Sequence, residues 1–389
     1  VGILGGGQLG RMLALAGIPM GLRFRFLDPD PCAPCAQVAE QIVAEYDDPG
    51  ALDRLADGAT VVTYEFENVP AQVAQRLEAH ARVHPPALAL ATLQDRLLEK
   101  QLFTECGIAV PDFVPVATRE ELGAAVTQLG IGDGLVIKSR RMGYDGKGQA
   151  VIRPGSTGIL PVPDMAKMAV LLDAAWSDVS SHAENGGLIV ERFVAFTREL
   201  SLVGIRARDG DTRFYPLVEN HHSRGVLRST IAPAPDLSPG LQDGAENHAR
   251  AIMRHLNYVG VLAIEFFESA DAAGKPVLLG NEMAPRVHNT GHWTIEGAAT
   301  SQFENHLRAI LGWPLGDTTP RRMCAMVNIL GRLPRPEHIL AIPGAHLHLY
   351  GKSERPARKL GHVTMVADAH DQLQGLIERA QRALPPDAA

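Results

Sequence analysis

Cysteine is scarce. The 389-residue chain holds four, Cys32, Cys35, Cys106 and Cys324. A chain of this length can bury a core without covalent staples, so no disulfide framework is expected. Cys32-Ala33-Pro34-Cys35 has C-x-x-C spacing, but a structural zinc site needs four Cys or His ligands and no second pair exists. A redox pair is one reading. The segment follows Asp28-Pro29-Asp30-Pro31, and two incidental loop thiols is the favoured reading. Long apolar runs are also missing. None approaches the ~20 residues of a membrane helix. Positive charge is not in excess either: 37 Lys and Arg stand against 44 Asp and Glu, a net −7. A dedicated nucleic-acid binder carries the opposite balance. The opening Val1-Gly2-Ile3-Leu4 breaks at once into glycines, with no basic segment before an apolar one, so no signal peptide is expected. A cytoplasmic location is expected.

What is present is an ordinary globular composition, 46% hydrophobic and 21% charged. The length predicts two or three domains. Over the first ninety residues short apolar runs alternate with helical stretches. Val1–Leu4, Arg23–Leu27 and Thr60–Tyr64 read as strands and Leu9–Ala16 as a helix, the pattern of a parallel, doubly wound sheet. Leu135–Lys138 reads as a strand entering a glycine-rich loop, with Val151–Arg153 as its partner. The 154–163 stretch, rich in Gly and Pro, reads as an exposed excursion without assigned function. Leu188–Phe193 and Leu200–Arg206 read as further strands. Val261–Phe267 and Val277–Glu282 read as a hairpin around Asp271–Lys275. From Trp313 a small third unit carries strands at Met326–Leu330 and His346–Tyr350 and a helix near Gln372–Ala383.

Gly5-Gly6-Gly7-Gln8-Leu9-Gly10 fits G-x-G-x-x-G between a strand and a helix, with Asp28 ending the next strand. Such a loop turns backbone N–H groups and a helix N-terminus toward an anion. It supports phosphate binding more firmly than dinucleotide binding. An NAD-dependent oxidoreductase and a tight turn without ligand both stay open here.

The second glycine loop is the stronger signal. Lys138 ends an apolar strand, where a charge needs a partner. Arg140, Arg141 and Lys147 follow, with Gly143, Gly146 and Gly148 interleaved. Such a loop can drape over a triphosphate. It is not a P-loop, since no Gly-Lys-Ser/Thr follows at the required spacing. Bare glycine turns are common, but this much positive charge favours phosphate.

Glu265 and Glu282 each interrupt an apolar strand. A hairpin folded symmetrically about Ala273 and Gly274 sets them opposite one another. Like charges so placed are destabilising, and a cation between them removes the conflict. Hard oxygen ligands next to nucleotide phosphates suit Mg²⁺. Two solvated glutamates is the competing reading, weakened by the apolar strands around them. Directly after Glu282, the loop to His292 packs in Arg286, His288, Asn289 and His292. Arg286 suits an anion; His288 and Asn289 suit the orientation of a substrate.

These residues, with Tyr64-Glu65-Phe66-Glu67-Asn68-Val69-Pro70, Gln94-Asp95-Arg96, Glu99-Lys100, Glu191–Val194, Ser301-Gln302-Phe303-Glu304, Tyr350-Gly351-Lys352 and Arg358–His362, resemble an ATP-grasp ligase. More closely, nearly the whole chain is similar to the N5-carboxyaminoimidazole ribonucleotide synthase family. The resemblance implies an α/β and α+β multidomain chain: a Rossmann-like N-terminal domain over 1–93 that binds no dinucleotide, an ATP-grasp domain over 94–312 and a small C-terminal domain over 313–389. It implies ATP and Mg²⁺ as cofactors and a homodimer. The implied reaction uses ATP and bicarbonate to carboxylate 5-aminoimidazole ribonucleotide at N5 through carboxyphosphate. No nucleic-acid or membrane partner is implied.

By the same resemblance, Arg96, Lys138 and the loop Gly143, Tyr144, Asp145, Gly146, Lys147, Gly148 and Gln149 hold the ATP phosphates. Glu191, Arg192, Phe193 and Val194 form the strand that reads adenine. Glu199 holds the ribose hydroxyls and His222 sits beside the nucleotide. Glu265 and Glu282 bind Mg²⁺, with Asn281 alongside. The ribonucleotide uses Gln8, Leu9, Glu65, Lys352, Arg358 and Lys359. Arg286, His288 and Asn289 hold bicarbonate and, with Lys352, form the catalytic group. A related formate-dependent glycinamide ribonucleotide transformylase has Glu where Gln8 stands and Asp where Asn289 stands. Both departures favour the synthase.

Overall fold

The computed structural model describes residues 1–143, 148–153, 165–180 and 187–386. Tyr144, Asp145, Gly146 and Lys147 of the second glycine loop, and the excursion after Arg153, lie outside the described residues.

The N-terminal region runs β1 (Gly2–Leu4), α1 (Gln8–Gly17), β2 (Arg25–Leu27), β3 (Glu40–Ile42), α2 (Pro49–Ala56), β4 (Val62–Tyr64) and α3 (Ala71–Glu78). The strands are parallel, in the order β3-β2-β1-β4. All three residues of β1 and of β4 are buried, as strands covered on both faces must be. β3 was not expected. Of its Glu40-Gln41-Ile42 at the sheet edge only Ile42 is apolar and buried, so no apolar run marks it.

Helices α4 (Ala87–Leu93) and α5 (Arg96–Glu105) lead into a four-stranded antiparallel sheet. Its strands are β5 (Phe113–Val116), β6 (Leu135–Ser139), β7 (Gln149–Ile152) and β8 (Leu188–Arg192), in the order β5-β8-β6-β7. α6 (Arg119–Leu129) and α7 (Met165–Ser180) pack on it. Thr118 caps α6 by accepting the Glu121 N–H. β6 and β7 pair Lys138 with Gln149, so the two ends of the glycine loop lie side by side.

The third sheet is the largest. It takes β9 (Arg198–Arg206), β10 (Thr212–Phe214), β11 (Val218–Ser223) and β12 (Val226–Ala232), then α8 (Leu241–His255) crosses to β13 (Gly260–Ala270) and β14 (Pro276–Ala284). After α9 (Thr294–Gly297) and α10 (Gln302–Leu311) come β15 (Met323–Leu330), α11 (Pro336–Leu340), β16 (Ala345–Leu349), β17 (Lys359–Ala367) and α12 (His370–Ala383). The order is β14-β13-β9-β11-β12-β15-β17-β16, with β10 on β9. The C-terminal strands thus extend the central sheet through β12 and β15. β17 also goes beyond the sequence reading. Alternation sorts the central strands: Leu200, Leu202, Leu262 and Ile264 face the core under α5 and α8, while Val203, Ile205, Val261 and Ala263 face α1 and α10.

The β13–β14 hairpin places the site. Its turn is closed by Asp271, whose Oδ1 accepts the Ala273 and Lys275 N–H groups. Near the turn Ala270 pairs with Pro276 and Phe266 with Gly280, one residue off the symmetric register expected. A β-bulge at Asn281 supplies the extra residue, and beyond it Glu265 meets Glu282. The carboxylates are opposed as expected, but through the bulge rather than through a symmetric turn.

Candidate active site

Lys138 is buried at the end of β6 and its partner is Glu191 on β8. Nζ lies 3.1 Å from Glu191 Oε2, and Lys100 of α5 reaches the same oxygen at 3.4 Å. Burial alone would raise the Glu191 pKa. Lys100, Lys138 and Arg96 overcome it and hold the carboxyl down to about 2. Arg96 begins α5, which Asp95 caps. Its Nη1 is 2.5 Å from Glu282 Oε1 and its Nη2 donates to the Gly143 carbonyl at 3.3 Å. Lys138 lies 3.9 Å from the same Glu282 oxygen. Burial opposes ionisation of Glu282, yet Arg96 and Lys138 pull its pKa below the ordinary carboxylate value. One cationic cluster therefore joins Glu191, Glu282 and the start of the second glycine loop. Arg140 and Arg141 do not join it. Both are held by Asp95, at 2.7 and 3.4 Å, so these two of the four loop cations counted toward phosphate are neutralised outside the cluster.

Glu265 faces Glu282 across the hairpin. Burial, with Glu282 and Glu199 nearby, raises its pKa to about 7 against the opposing charges of His222 and Lys359. Asn281 Oδ1 is buried without a hydrogen-bond partner among the described residues. Two opposed carboxylates and an unpaired amide oxygen fit a hard divalent cation. Among the described residues no group of three or more Asp, Glu, His or Cys could hold a metal alone, so phosphate and water oxygens are needed to complete the shell. On neighbouring strands, His222 Nδ1 is 2.9 Å from Glu199 Oε2. Burial lowers the His222 pKa, but Glu199 and Glu265 outweigh it and the net shift is upward.

Of the segment expected to read adenine, Glu191 turns its carboxylate inward and Arg192 pairs with Asp112 at 3.1 Å. The N–H groups of Arg192 and Phe193 donate to the carbonyls of Asp112 and Gly134. Neither donor is open to a base, which leaves carbonyls and Val194 for that role.

After β14 the chain turns through Arg286, His288 and Asn289. Arg286 Nε donates to Glu67 Oε2 of the N-terminal region. His288 Nε2 is 3.8 Å from Glu265 Oε1, and Nδ1 is 2.9 Å from Thr290 Oγ1. Burial, then Arg286 and Lys359, push the His288 pKa well below its usual value, so the ring is neutral. Asn289 is buried, and its Nδ2 takes no acceptor among the described residues. An unpaired buried donor is costly and suits an anion's oxygen.

The first glycine loop corrects an expectation. Glu65, just after β4, accepts the Gly7 N–H at 3.0 Å and the Leu9 and Gly10 N–H groups at 3.1 Å each. Gly6 donates to Asp28 at 2.7 Å. The anion at this helix N-terminus is the chain's own carboxylate. A Cβ on Gly7 would stand 2.6 Å from Glu65 Oε1, so glycine is needed for Glu65 to approach, not for a dinucleotide. Gln8 instead turns to the C-terminal region, where Lys352 Nζ donates to its Oε1. Arg358 donates to Ser353. Lys359 opens β17 with its charge felt by Glu265, His222 and His288, so it lies nearer the carboxylate pair than the sequence suggested.

Several residues at the site had no role in the sequence reading. Lys100 donates to the Gly280 and Asn281 carbonyls at 3.3 and 3.0 Å, and Glu99 Oε1 accepts the Met283 N–H at 2.5 Å. Together they hold the backbone groups that the bulge frees from the ladder. The signal was present: two charges share the face of α5 that also carries buried Phe103.

The chain matches three family models in order: the ribonucleotide synthetase preATP-grasp domain over residues 1–94, the ATP-grasp domain over 101–303 and the phosphoribosylaminoimidazole carboxylase C-terminal domain over 324–375. This is the domain set of an ATP-grasp ligase. The N5-carboxyaminoimidazole ribonucleotide synthase of Pseudomonas aeruginosa is 44% identical over 381 residues, covering 98% of both chains. The crystal structure of the synthetase from Thermus thermophilus is 49% identical, with a TM-score of 0.87 over 100% of this chain and 99% of that one. The Aspergillus clavatus enzyme, in complex with ADP and 5-aminoimidazole ribonucleotide, is 28% identical with a TM-score of 0.82 over 98% of each chain. The chain belongs to the N5-carboxyaminoimidazole ribonucleotide synthase family. No helix among the described residues is long and apolar enough to cross a membrane.

Proposed function

We propose that the chain carboxylates 5-aminoimidazole ribonucleotide on its exocyclic nitrogen, consuming ATP and bicarbonate, as a homodimer in the cytoplasm. A bicarbonate oxygen attacks the γ-phosphorus. The bond from that phosphorus to the β–γ bridging oxygen breaks, giving carboxyphosphate and ADP. The N5 amine then attacks the carboxyl carbon, or CO₂ released from it; phosphate leaves and the amine loses a proton. The observation that carries this reading is the Glu265–Glu282 pair beside Arg96 and Lys138, with the Arg286–Asn289 loop on its other side.

In this reading Lys138 and Arg96 face the ATP phosphates and stabilise charge on the transferring phosphoryl group. Glu265 and Glu282, with Asn281, would hold Mg²⁺, which would screen the phosphates. Asn289 and Arg286 hold bicarbonate, and neutral His288 orients it. Glu199 and His222 take the ribose. Lys352 and Arg358 take the phosphate of the ribonucleotide, with Gln8, Leu9 and Glu65 beneath it. The site must exclude water, because carboxyphosphate hydrolyses.

The test is ADP release with bicarbonate and the aminoimidazole ribonucleotide omitted in turn. Full release requires both. Release driven equally well by formate and glycinamide ribonucleotide would overturn the reading.

A further inference from the structure

Gln302 opens α10, at the end of the 286–302 stretch, and is fully buried. The helix does not need it as a cap, because Ser301 already accepts the Glu304 N–H. Its side-chain amide instead meets the backbone of a single residue. Oε1 accepts the His288 N–H at 3.0 Å, and Nε2 donates to the His288 carbonyl at 2.6 Å. Nε2 also lies 3.3 Å from His292 Nδ1. An amide offers one acceptor and a two-hydrogen donor, so it pairs with both backbone groups of one residue as a neighbouring strand would. The stem is fixed as well. The Gln302 N–H donates to Thr294 Oγ1 at 3.0 Å, and that hydroxyl donates to the Gly291 carbonyl at 2.6 Å. The loop rides close on the amide: a Cβ at Gly291 would stand 2.4 Å from Gln302 Oε1.

We propose that Gln302 is a positioning residue for the reaction: it grips the backbone of His288 and so fixes where His288 and Asn289 stand relative to Glu265. The proposal rests on the reading of this loop as the bicarbonate site. A buried amide of this kind is retained only when its groups are paired. Here every partner lies in the one loop that carries the candidate anion-binding side chains. Gln302 itself touches no reacting atom.

The experiment compares saturation curves for bicarbonate and for ATP in Gln302→Met, Gln302→Glu and Asn289→Ala, with a melting curve for each. Gln302→Met keeps length and volume and removes both hydrogen bonds. It is expected to raise the bicarbonate KM at least roughly tenfold, equivalent to about 1.4 kcal/mol, while the ATP KM moves less than about twofold. Gln302→Glu keeps the acceptor but sets an anionic oxygen against the His288 carbonyl. Its defect should shrink as pH falls, because a protonated carboxyl again offers one donor and one acceptor. That pH profile keeps the test open if the Met variant does not fold, and loss of packing alone would not produce it. Asn289→Ala separates the two levels. If it leaves the bicarbonate KM unchanged, the loop reading fails and the proposal falls with it. If it raises that KM while the Gln302 variants do not, positioning by Gln302 is wrong and the loop reading stands. Equal rises in both KM values for Gln302→Met would also overturn the proposal.

Discussion

Two buried glutamates receive several donors each, and they end on opposite sides of the ordinary carboxylate pKa. Glu65, under the first glycine loop, is held by three backbone N–H groups at a helix N-terminus. Burial is the largest influence on it and its pKa is raised despite those amides. Glu191, under the second glycine loop, is held by Lys138 and Lys100, and its pKa falls to about 2. Amide dipoles soften the cost of burying a carboxylate; two ammonium groups, with the Arg96 guanidinium beside them, reverse it. The same contrast separates the loops in chemistry. The first spends its donors on an internal anion and serves as a strut between β1 and β4. The second leaves cationic groups clustered around Glu282, where further negative charge is favourable.

The largest effects should come from breaking the charged side. Lys138→Met removes a charge facing the proposed phosphates and leaves Glu191 with one lysine. Turnover should fall by roughly 10²–10³, the loss typical of removing a preorganised electrostatic contact. Glu282→Gln should do the same and shift the magnesium requirement, with the fold retained. Steady-state rates at saturating and limiting magnesium check both. Near-normal turnover of either variant at limiting magnesium would end the assignment.

The next effect sits between the two loops. Lys352 reaches Gln8 of the first loop, whereas Arg96 and Lys138 are gathered around Glu282. Lys352→Ala should raise the KM for the aminoimidazole ribonucleotide by roughly tenfold to a hundredfold, as loss of a charged hydrogen bond implies. The ATP KM should hardly move. Equal weakening of both substrates would place Lys352 elsewhere.

Gly7→Ala tests the uncharged side. Its Cβ would press on Glu65 Oε1, and overpacking of this kind costs about 1–3 kcal/mol. Denaturant unfolding should register that loss. An unchanged midpoint would show that Glu65 can retreat freely, and the strut would be no strut.

How far the sequence reaches follows from what sets each feature. Lys138, ending an apolar run, announced that a buried partner must exist; the opposition of Glu265 to Glu282 was reached from two short apolar strands around one turn, in a symmetric register that holds at that pair only because of the Asn281 bulge. Those are local patterns. Glu65 lies 58 positions from Gly7, so nothing near the first loop says that its amides are already occupied. Asp95 neutralises Arg140 and Arg141 from 45 and 46 positions away, and a count of local cations misses it. The Asn281 bulge left no composition signal, and the groups that hold its backbone, Lys100 and Glu99, lie on a distant helix. β17 was missed since it opens on Lys-Leu-Gly-His before its short apolar run, although the strand sits between β15 and β16 with most of its residues buried.

The finest test of the contrast is pH. For Glu65 the folded-state pKa lies above the ordinary 4.5, so between those two values the folded chain binds the proton that the unfolded chain has released. Stability from this group is then present at low pH and declines as pH rises through the folded value. Glu191 has the opposite sign. With a folded value of about 2 against 4.5, its contribution is complete above 4.5 and is lost as pH falls toward 2. Glu65→Gln cannot titrate, so the stability of the wild type minus that of the variant should decline from about pH 4.5 upward. The slope cannot exceed about 1.4 kcal/mol per pH unit. Chemical denaturation of the ligand-free protein at several pH values measures it. A difference that grows with pH would mean that the three amides hold Glu65 as firmly as the lysines hold Glu191, and the distinction drawn between the loops would be lost.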